Sequence, residues 1–102
     1  MIKENIPATS VTKEMIEVWK KQHGEVFKLN VEDKVCYLKT PGRKTLSYAS
    51  STKDNFKFNE IVMKDCWLAG DEEILTNDSY FIAACGKLDG IISVKQAELE
   101  KL

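Results

Sequence analysis

The hydrophobic pattern changes its period at Gly24, and this change limits the folds open to the chain more than any other feature. Before Gly24, apolar residues recur at the spacing of one face of a helix, at Val11, Met15, Val18 and Trp19. After it, Phe27, Leu29 and Val31 alternate with polar residues, which is the period of a half-buried strand. Glycine ends helices readily because it adopts the left-handed conformation at little steric cost. The pattern therefore predicts a helix over about 11–23, capped by Ser10 or Thr12, and then a strand. Trp19, on the apolar stripe of this helix, is expected in the core.

A second strand is predicted immediately after the first. The polar triplet Glu32-Asp33-Lys34 fits a tight turn, and residues 35–38 are again apolar and β-prone. The two strands are expected to form an antiparallel hairpin. Because a lone hairpin is only marginally stable in water, flanking helices are expected to cover its apolar face.

Helix signals dominate the rest of the chain. Thr40-Pro41 is typical of a cap and a first helical position, where the missing amide of proline costs nothing. Asp54 or Asn55 caps a second helix, which Gly70 is expected to end. Residues 77–79 start a last helical segment, either one bent helix or two. Its predicted apolar stripe consists of Phe81, Ala84, Cys85, Leu88 and Ile92.

Together these signals predict an α+β fold with an N-terminal helix, an antiparallel β-hairpin and a small C-terminal helical bundle. Residues 1–10 contain Pro7 and a Thr-Ser pair, and we expect a flexible leader there. Residues 11–102 form a single domain, with the helix and hairpin in 11–39 and the helical part in 40–102. A chain of 102 residues with 43% hydrophobic residues suits one modest core.

The charge balance argues against a general nucleic-acid binder. The formal net charge is −1, whereas such binders carry a positive excess because phosphate neutralisation supplies most of their affinity. The alternative is a small nucleic-acid-associated regulator that uses the local basic cluster Lys39, Arg43 and Lys44. The first residues lack the apolar core of a signal peptide, and no apolar run approaches the ~18 residues of a membrane span. We therefore expect a cytoplasmic protein without membrane association.

The thiols and the single histidine do not form a recognisable catalytic or metal-binding motif. Cys36, Cys66 and Cys85 are far apart in the sequence, whereas structural zinc sites pair ligands a few residues apart. A cysteine nucleophile needs a lowered thiol pKa and a base within reach, and His23 falls at a predicted helix end. We expect free, buried thiols, no cofactor, no metal and no enzymatic activity.

Binding to another protein is the remaining function class, and five residues are its candidates. Trp67 lies off the main apolar stripe of its predicted helix, and tryptophan is enriched at binding hot spots. Asp71, Glu72 and Glu73 form an acidic corner that suits either the start of the next helix or the charged rim of an interface. Arg43 places positive charge at a predicted helix start, where it is slightly unfavourable, and this favours an acidic partner.

The order of these motifs resembles the small tail assembly chaperones of long-tailed bacteriophages and prophages. In that family a strand pair leads into a proline-started helix written Pro-x-Arg with a later alanine, matched here by Pro41, Arg43 and Ala49. A Gly-Asp-Glu-Glu turn of some members is matched by residues 70–73, and the resemblance covers about residues 25–100. It implies a non-enzymatic chaperone in the cytoplasm of a bacterial host. Such a protein binds a long helical tape-measure protein, keeps it soluble until tail-tube subunits take its place, and self-associates.

Overall fold

The computed structural model describes residues 5–91 and 97–102, and within them helices and strands are mixed. A short 3-10 helix at Ala8–Ser10 comes first, and a second one at Leu88–Ile91 comes last. Between them lie α1 (Lys13–His23), β1 (Val26–Val31), β2 (Lys34–Lys39), α2 (Arg43–Ser50), α3 (Asn55–Cys66), β3 (Trp67–Gly70), α4 (Glu73–Thr76) and α5 (Asp78–Cys85). The predicted α+β class is confirmed. None of the described helices has the length and apolar character needed to cross a membrane.

Helix α1 begins and ends where its sequence signals place it. The Thr12 hydroxyl oxygen accepts a hydrogen bond from the Met15 amide at 3.2 Å, which satisfies one free donor of the first turn. Gly24 follows the last turn with φ at +86°, and its amide donates to the Lys20 carbonyl at 2.9 Å. The helix therefore ends at the residue that can take this backbone conformation without a side-chain clash.

The predicted hairpin is present, and a third strand joins it. β1 and β2 are antiparallel and joined by a two-residue turn, so that Val31 faces Lys34. β3 pairs antiparallel with the other side of β2, which makes the sheet order β1-β2-β3. Residues 67–70 were expected to be the last turn of a helix, and this is wrong. They extend instead because β2 would otherwise leave a row of unpaired amides and carbonyls in a buried setting.

Helices cover both faces of the sheet. Cys36 and Leu38 of β2 are completely buried against α3, α4 and α5. Their neighbour Tyr37 points to the opposite face, where the Trp19 ring of α1 lies 6.0 Å from its ring at 45°. The core consists of buried residues from the strands and the helices behind them, namely Val31, Cys36, Leu38, Ala49, Val62, Met63, Cys66, Ile74, Ala84, Leu88 and Ile91. Trp19, expected in the core, is half-buried on the outer layer.

Residues 5–10, expected to be a flexible leader without regular structure, lie against the sheet. The Ile6 carbonyl accepts a hydrogen bond from the Gly70 amide at 2.8 Å, and the 3-10 helix that follows contacts β2 and β3. The Asn5 side-chain amide donates to the Gly70 carbonyl at 2.7 Å. This segment therefore covers the outer edge of β3. Residues 1–4 of the predicted leader lie outside the described residues.

The last helical segment divides into two parts. α5 ends at Cys85, and the second 3-10 helix follows after a turn that contains Gly86. This agrees with the second of the two alternatives, two helices rather than one bent helix. Ile92, which belonged to the predicted apolar stripe, lies outside the described residues. Residues 97–102 have no regular structure, and Leu99 and Leu102 are fully exposed.

The hairpin turn carries a conformational cost that a single substitution can relieve. Glu32 is exposed and has φ at +54°, a region that costs most residues about 1 kcal/mol and that asparagine tolerates better. Glu32→Asn is expected to raise the free energy of unfolding by about 0.5–1 kcal/mol, as measured by urea denaturation. Glu25→Asn, at an exposed position without positive φ, is the control. A Glu32→Asn protein less stable than this control would contradict the expectation.

Candidate protein-binding groove

Trp67 is held by the N-terminal segment. It begins β3, is half-buried against the core, and donates its indole N–H to the Asn5 side-chain oxygen at 2.7 Å. Because Asn5 also bonds the Gly70 carbonyl, its side-chain amide bridges the two ends of β3. The polar atom of Trp67 is thus already used within the chain, where it fixes residues 5–10 on the sheet edge.

The acidic corner binds the hairpin to α4. The Asp71 carboxylate accepts a hydrogen bond from the Val35 amide at 2.9 Å, and the Asp71 amide donates to the Val35 carbonyl at 2.8 Å. The Glu73 carboxylate lies 3.1 Å from the Lys34 ammonium, and its hydrogen bond and negative charge raise the pKa of Lys34. Glu72 is half-buried, and its carbonyl accepts from the Leu75 amide in the first turn of α4. Within the described chain, the corner makes intramolecular contacts.

The five predicted partner-binding residues do not converge on one site. Arg43 is exposed and starts α2, just beyond the carboxyl end of β2. Trp67 pairs with Leu38 near that end, whereas Asp71 bonds to Val35 near the amino end of the strand. Leu38 and Val35 are three positions apart on β2, so their attachment points are separated by about 10 Å along the strand. Each group therefore needs its own structural explanation.

The cysteine environments are the opposite of those that activate a nucleophile. Cys36 and Cys66 are completely buried, and desolvation raises their pKa values to about 12 and about 11, with nearby carboxylates adding to both shifts. Cys85 is half-buried, and its pKa is also raised by desolvation. His23 is exposed at the end of α1. In the described part of the chain, no three histidine, cysteine, aspartate or glutamate side chains are grouped so that they could hold a metal ion.

An apolar groove lies between α3 and the helices that follow β3. It encloses about 350 Å³, and we call it the α3–α5 groove; its lining residues are Phe56, Lys57, Glu60, Leu75, Asp78, Phe81 and Ile82. Side-chain caps fix its helices: the Asp54 carboxylate accepts from the first amides of α3, and the Asn77 side-chain oxygen accepts from those of α5. The groove is therefore built on fixed helix starts.

The walls of this groove expose large apolar side chains to solvent. Phe56 is 57% exposed and Ile82 is 56% exposed, while Leu75 and Phe81 are half-buried and pack against the core beneath them. Single exposed apolar residues are common, but several around one concave surface are typical of a binding site. This groove is therefore a candidate surface for binding another protein.

The rim of the groove carries charges of both signs. Lys57 and Asp78 line it, and Glu60, the third charged lining residue, pairs with Lys64 one turn further along α3 at 3.0 Å. Opposite charges at the edge of an apolar centre favour a partner whose flanks are also mixed in charge. They do not favour a polyanion.

The predicted basic cluster lies beside acidic groups. Lys44 lines a shallow depression between α2 and α3 together with Lys64 and Asp65. The Thr45 hydroxyl donates to the Asp65 carboxylate, which places a negative charge at the start of α2. Arg43 and Lys44 are exposed, and Lys39 is half-buried. A uniform positive surface is not formed here.

Sequence reasoning missed Phe56 and Ile82. Phe56 lies two residues before Phe58, which is about 200° around a helix, so the two rings cannot face the same core. An aromatic residue opposite the apolar stripe was the available signal for a surface site. Ile82 directly follows Phe81 of the predicted stripe, which is the same kind of signal in α5.

Comparison with protein-family models, with curated proteins and with solved structures gives no match to this chain.

Proposed function

We propose that this chain is a non-enzymatic binding module that covers the apolar face of an amphipathic helix. The proposed partner is a long helical protein of the tape-measure type, and the proposed role is that of a tail assembly chaperone in the bacterial cytoplasm. The observation that carries the proposal is the α3–α5 groove, with Phe56 and Ile82 exposed on its walls. The motif order of residues 25–100 agrees with this role.

The shape of the groove fits a helix better than it fits a small polar ligand. A helix laid in a groove inserts apolar anchors spaced by three, four and seven residues, and the partner's polar face stays in water. Leu75 and Phe81 provide an apolar floor for such anchors, and Lys57 and Asp78 stand where the charged flanks of the helix would lie. A polar substrate would find few hydrogen-bonding groups in the floor.

The expected affinity is modest, which suits a chaperone that must release its client. Burying the exposed halves of Phe56 and Ile82 contributes about 0.8–1.7 kcal/mol each, since full burial of such side chains contributes roughly 1.5–3 kcal/mol. Part of this gain is lost in ordering the partner. A replacement that binds the same helix more tightly, as tail-tube subunits are proposed to do, can then displace the chaperone.

Co-expression tests the proposal. The chain is produced together with a tape-measure-type helical protein from the same genome, and the soluble, co-purifying fraction of that protein is measured. The wild-type chain is expected to keep the partner soluble, and the double variant Phe56→Asp, Ile82→Asp is expected to reduce the co-purified amount at least tenfold. Both positions are exposed, so the variant should remain folded.

Val18→Asp is the matched control, because Val18 is 50% exposed on α1, which covers the other face of the sheet. It should co-purify the partner like the wild type. An insoluble partner in the presence of the wild-type chain, or equal losses in the double variant and the control, would contradict the proposal. DNA binding that weakens steeply with salt would instead support the regulator built on Lys39, Arg43 and Lys44.

A further inference from the structure

The outer edge of β1 is a strand edge without a backbone partner in residues 5–91 and 97–102. β1 is the first strand in the sheet order, and only β2 pairs with it. In a hairpin closed by a two-residue turn, the residues that flank the turn exchange both backbone hydrogen bonds, and every second pair does the same. The amides and carbonyls of Lys28 and Asn30 therefore point away from β2. Both residues are exposed.

An apolar groove runs along this same edge. It encloses about 300 Å³ between β1 and the second 3-10 helix, and we call it the β1 groove; its lining residues are Phe27, Lys28, Leu29, Asn30, Leu38, Lys87, Leu88, Gly90 and Ile91. Leu38, Leu88 and Ile91 are buried and form its floor. The charged residues among the lining are both lysines. An added strand with apolar residues on one side and acidic residues on the other would pair with the strand edge, cover the apolar floor and place its acidic residues on the same side as Lys28.

Residues 97–100 of this chain have that pattern, and Lys101 and Leu102 complete the segment. An extended backbone places Ala97 and Leu99 on one side and Glu98 and Glu100 on the other. With Leu99 over the apolar floor, the two glutamates lie on the side of the sheet to which Lys28 points. In the structure this segment is separate from the groove, and Leu99 and Leu102 are fully exposed.

We propose that the β1 groove binds residues 97–102 of a second copy of this chain as an added strand. Exchange in both directions gives a two-fold symmetric dimer in which each copy donates one strand and receives one. Each added strand pairs with the free amides and carbonyls of Lys28 and Asn30. The sheet of each copy then has four strands, and its exposed edge is covered.

The test measures the oligomeric state of the full chain by sedimentation velocity over about a hundredfold range of concentration. The full chain is expected to dimerise, and Leu99→Asp and removal of residues 97–102 are each expected to weaken the dimer at least tenfold. Both changes fall on exposed residues outside the helices and strands, so folding should be unaffected. Val18→Asp, an exposed apolar position on α1, should leave the dimer intact.

Amide hydrogen exchange at Lys28 and Asn30 supplies a second measurement. Both amides should be protected in the dimer and should exchange at least tenfold faster after removal of residues 97–102. A monomeric full chain contradicts the proposal, whether the two amides exchange freely or are protected by the chain's own segment. A dimer that survives the truncation contradicts it too. None of these outcomes depends on the α3–α5 groove, so the failure of one proposal can be distinguished from failure of the other.

Discussion

Gly70→Ala is expected to abolish the native fold. Gly70 has φ at +143°, a backbone conformation that residues with a side chain rarely adopt. An alanine Cβ at this position would lie 2.6 Å from both the Val35 carbonyl oxygen and the Cys36 Cβ, and closer still to the Cys36 Cα. These atoms belong to the central strand, so they cannot move aside without breaking the sheet. A loss above about 4 kcal/mol is expected, which is most of the stability of a small domain.

Circular dichroism and urea denaturation measure this effect, and Gly86→Ala is the matched control. Gly86 has φ at −66° after the last turn of α5, and a Cβ there would meet its nearest neighbour at an ordinary 3.5 Å. The control should be as stable as the wild type or slightly more stable, because alanine restricts the unfolded chain. If Gly70→Ala instead folds with a loss below about 1 kcal/mol, β3 does not pair with β2 in this register.

The contrast between Gly24 and Gly70 shows how far the sequence predicts the fold. Gly24 ends α1 through contacts within the helix, so the local pattern was sufficient to place it. Gly70 is required by the close approach of Cys36, which lies 34 positions earlier in the chain. Locally it was indistinguishable from a helix-ending glycine, and β3 was therefore predicted as helix. Its strand conformation arises from pairing with β2, which periodicity within residues 55–70 does not encode.

The same limit applies to the candidate surfaces. Trp67 and Asp71 were predicted to contact another protein, but the groups that they bind in the structure, Asn5 and Val35, are distant in the sequence and belong to the same chain. The α3–α5 groove could not be predicted because it depends on how two helices pack against each other. Phe56 and Ile82 were visible as apolar residues in predicted helices, yet their exposure follows from how α3 and α5 pack. A surface formed by two helices cannot be assigned from the stripe of either one alone.

Raising the pH above about 9 is expected to destabilise the protein through its buried thiols. Burial raises the pKa of Cys36 from an ordinary 9.0 to about 12 and that of Cys66 to about 11. In the unfolded chain both thiols lose their protons near the ordinary value, so above it the unfolded state binds fewer protons than the folded state. Stability is then independent of these groups below pH 9 and falls between about 9 and 11, by up to about 1.4 kcal/mol per pH unit for each thiol.

Urea denaturation at a series of pH values measures the slope, and Cys36→Ala tests its origin. Other groups also titrate at alkaline pH, but the variant removes one thiol and should reduce the slope by up to about 1.4 kcal/mol per pH unit, whatever its stability at neutral pH.

Reaction with a thiol reagent gives a second measurement of the same burial. Cys36 and Cys66 should react at least a hundredfold more slowly in the native protein than in the unfolded chain, because so little thiolate is present. Cys85, which is half-buried, should react first. Two results would contradict the burial of these thiols: rapid modification of Cys36 or Cys66 in the native protein, or an unchanged slope in Cys36→Ala. The argument that their environments do not activate a cysteine nucleophile would then fail.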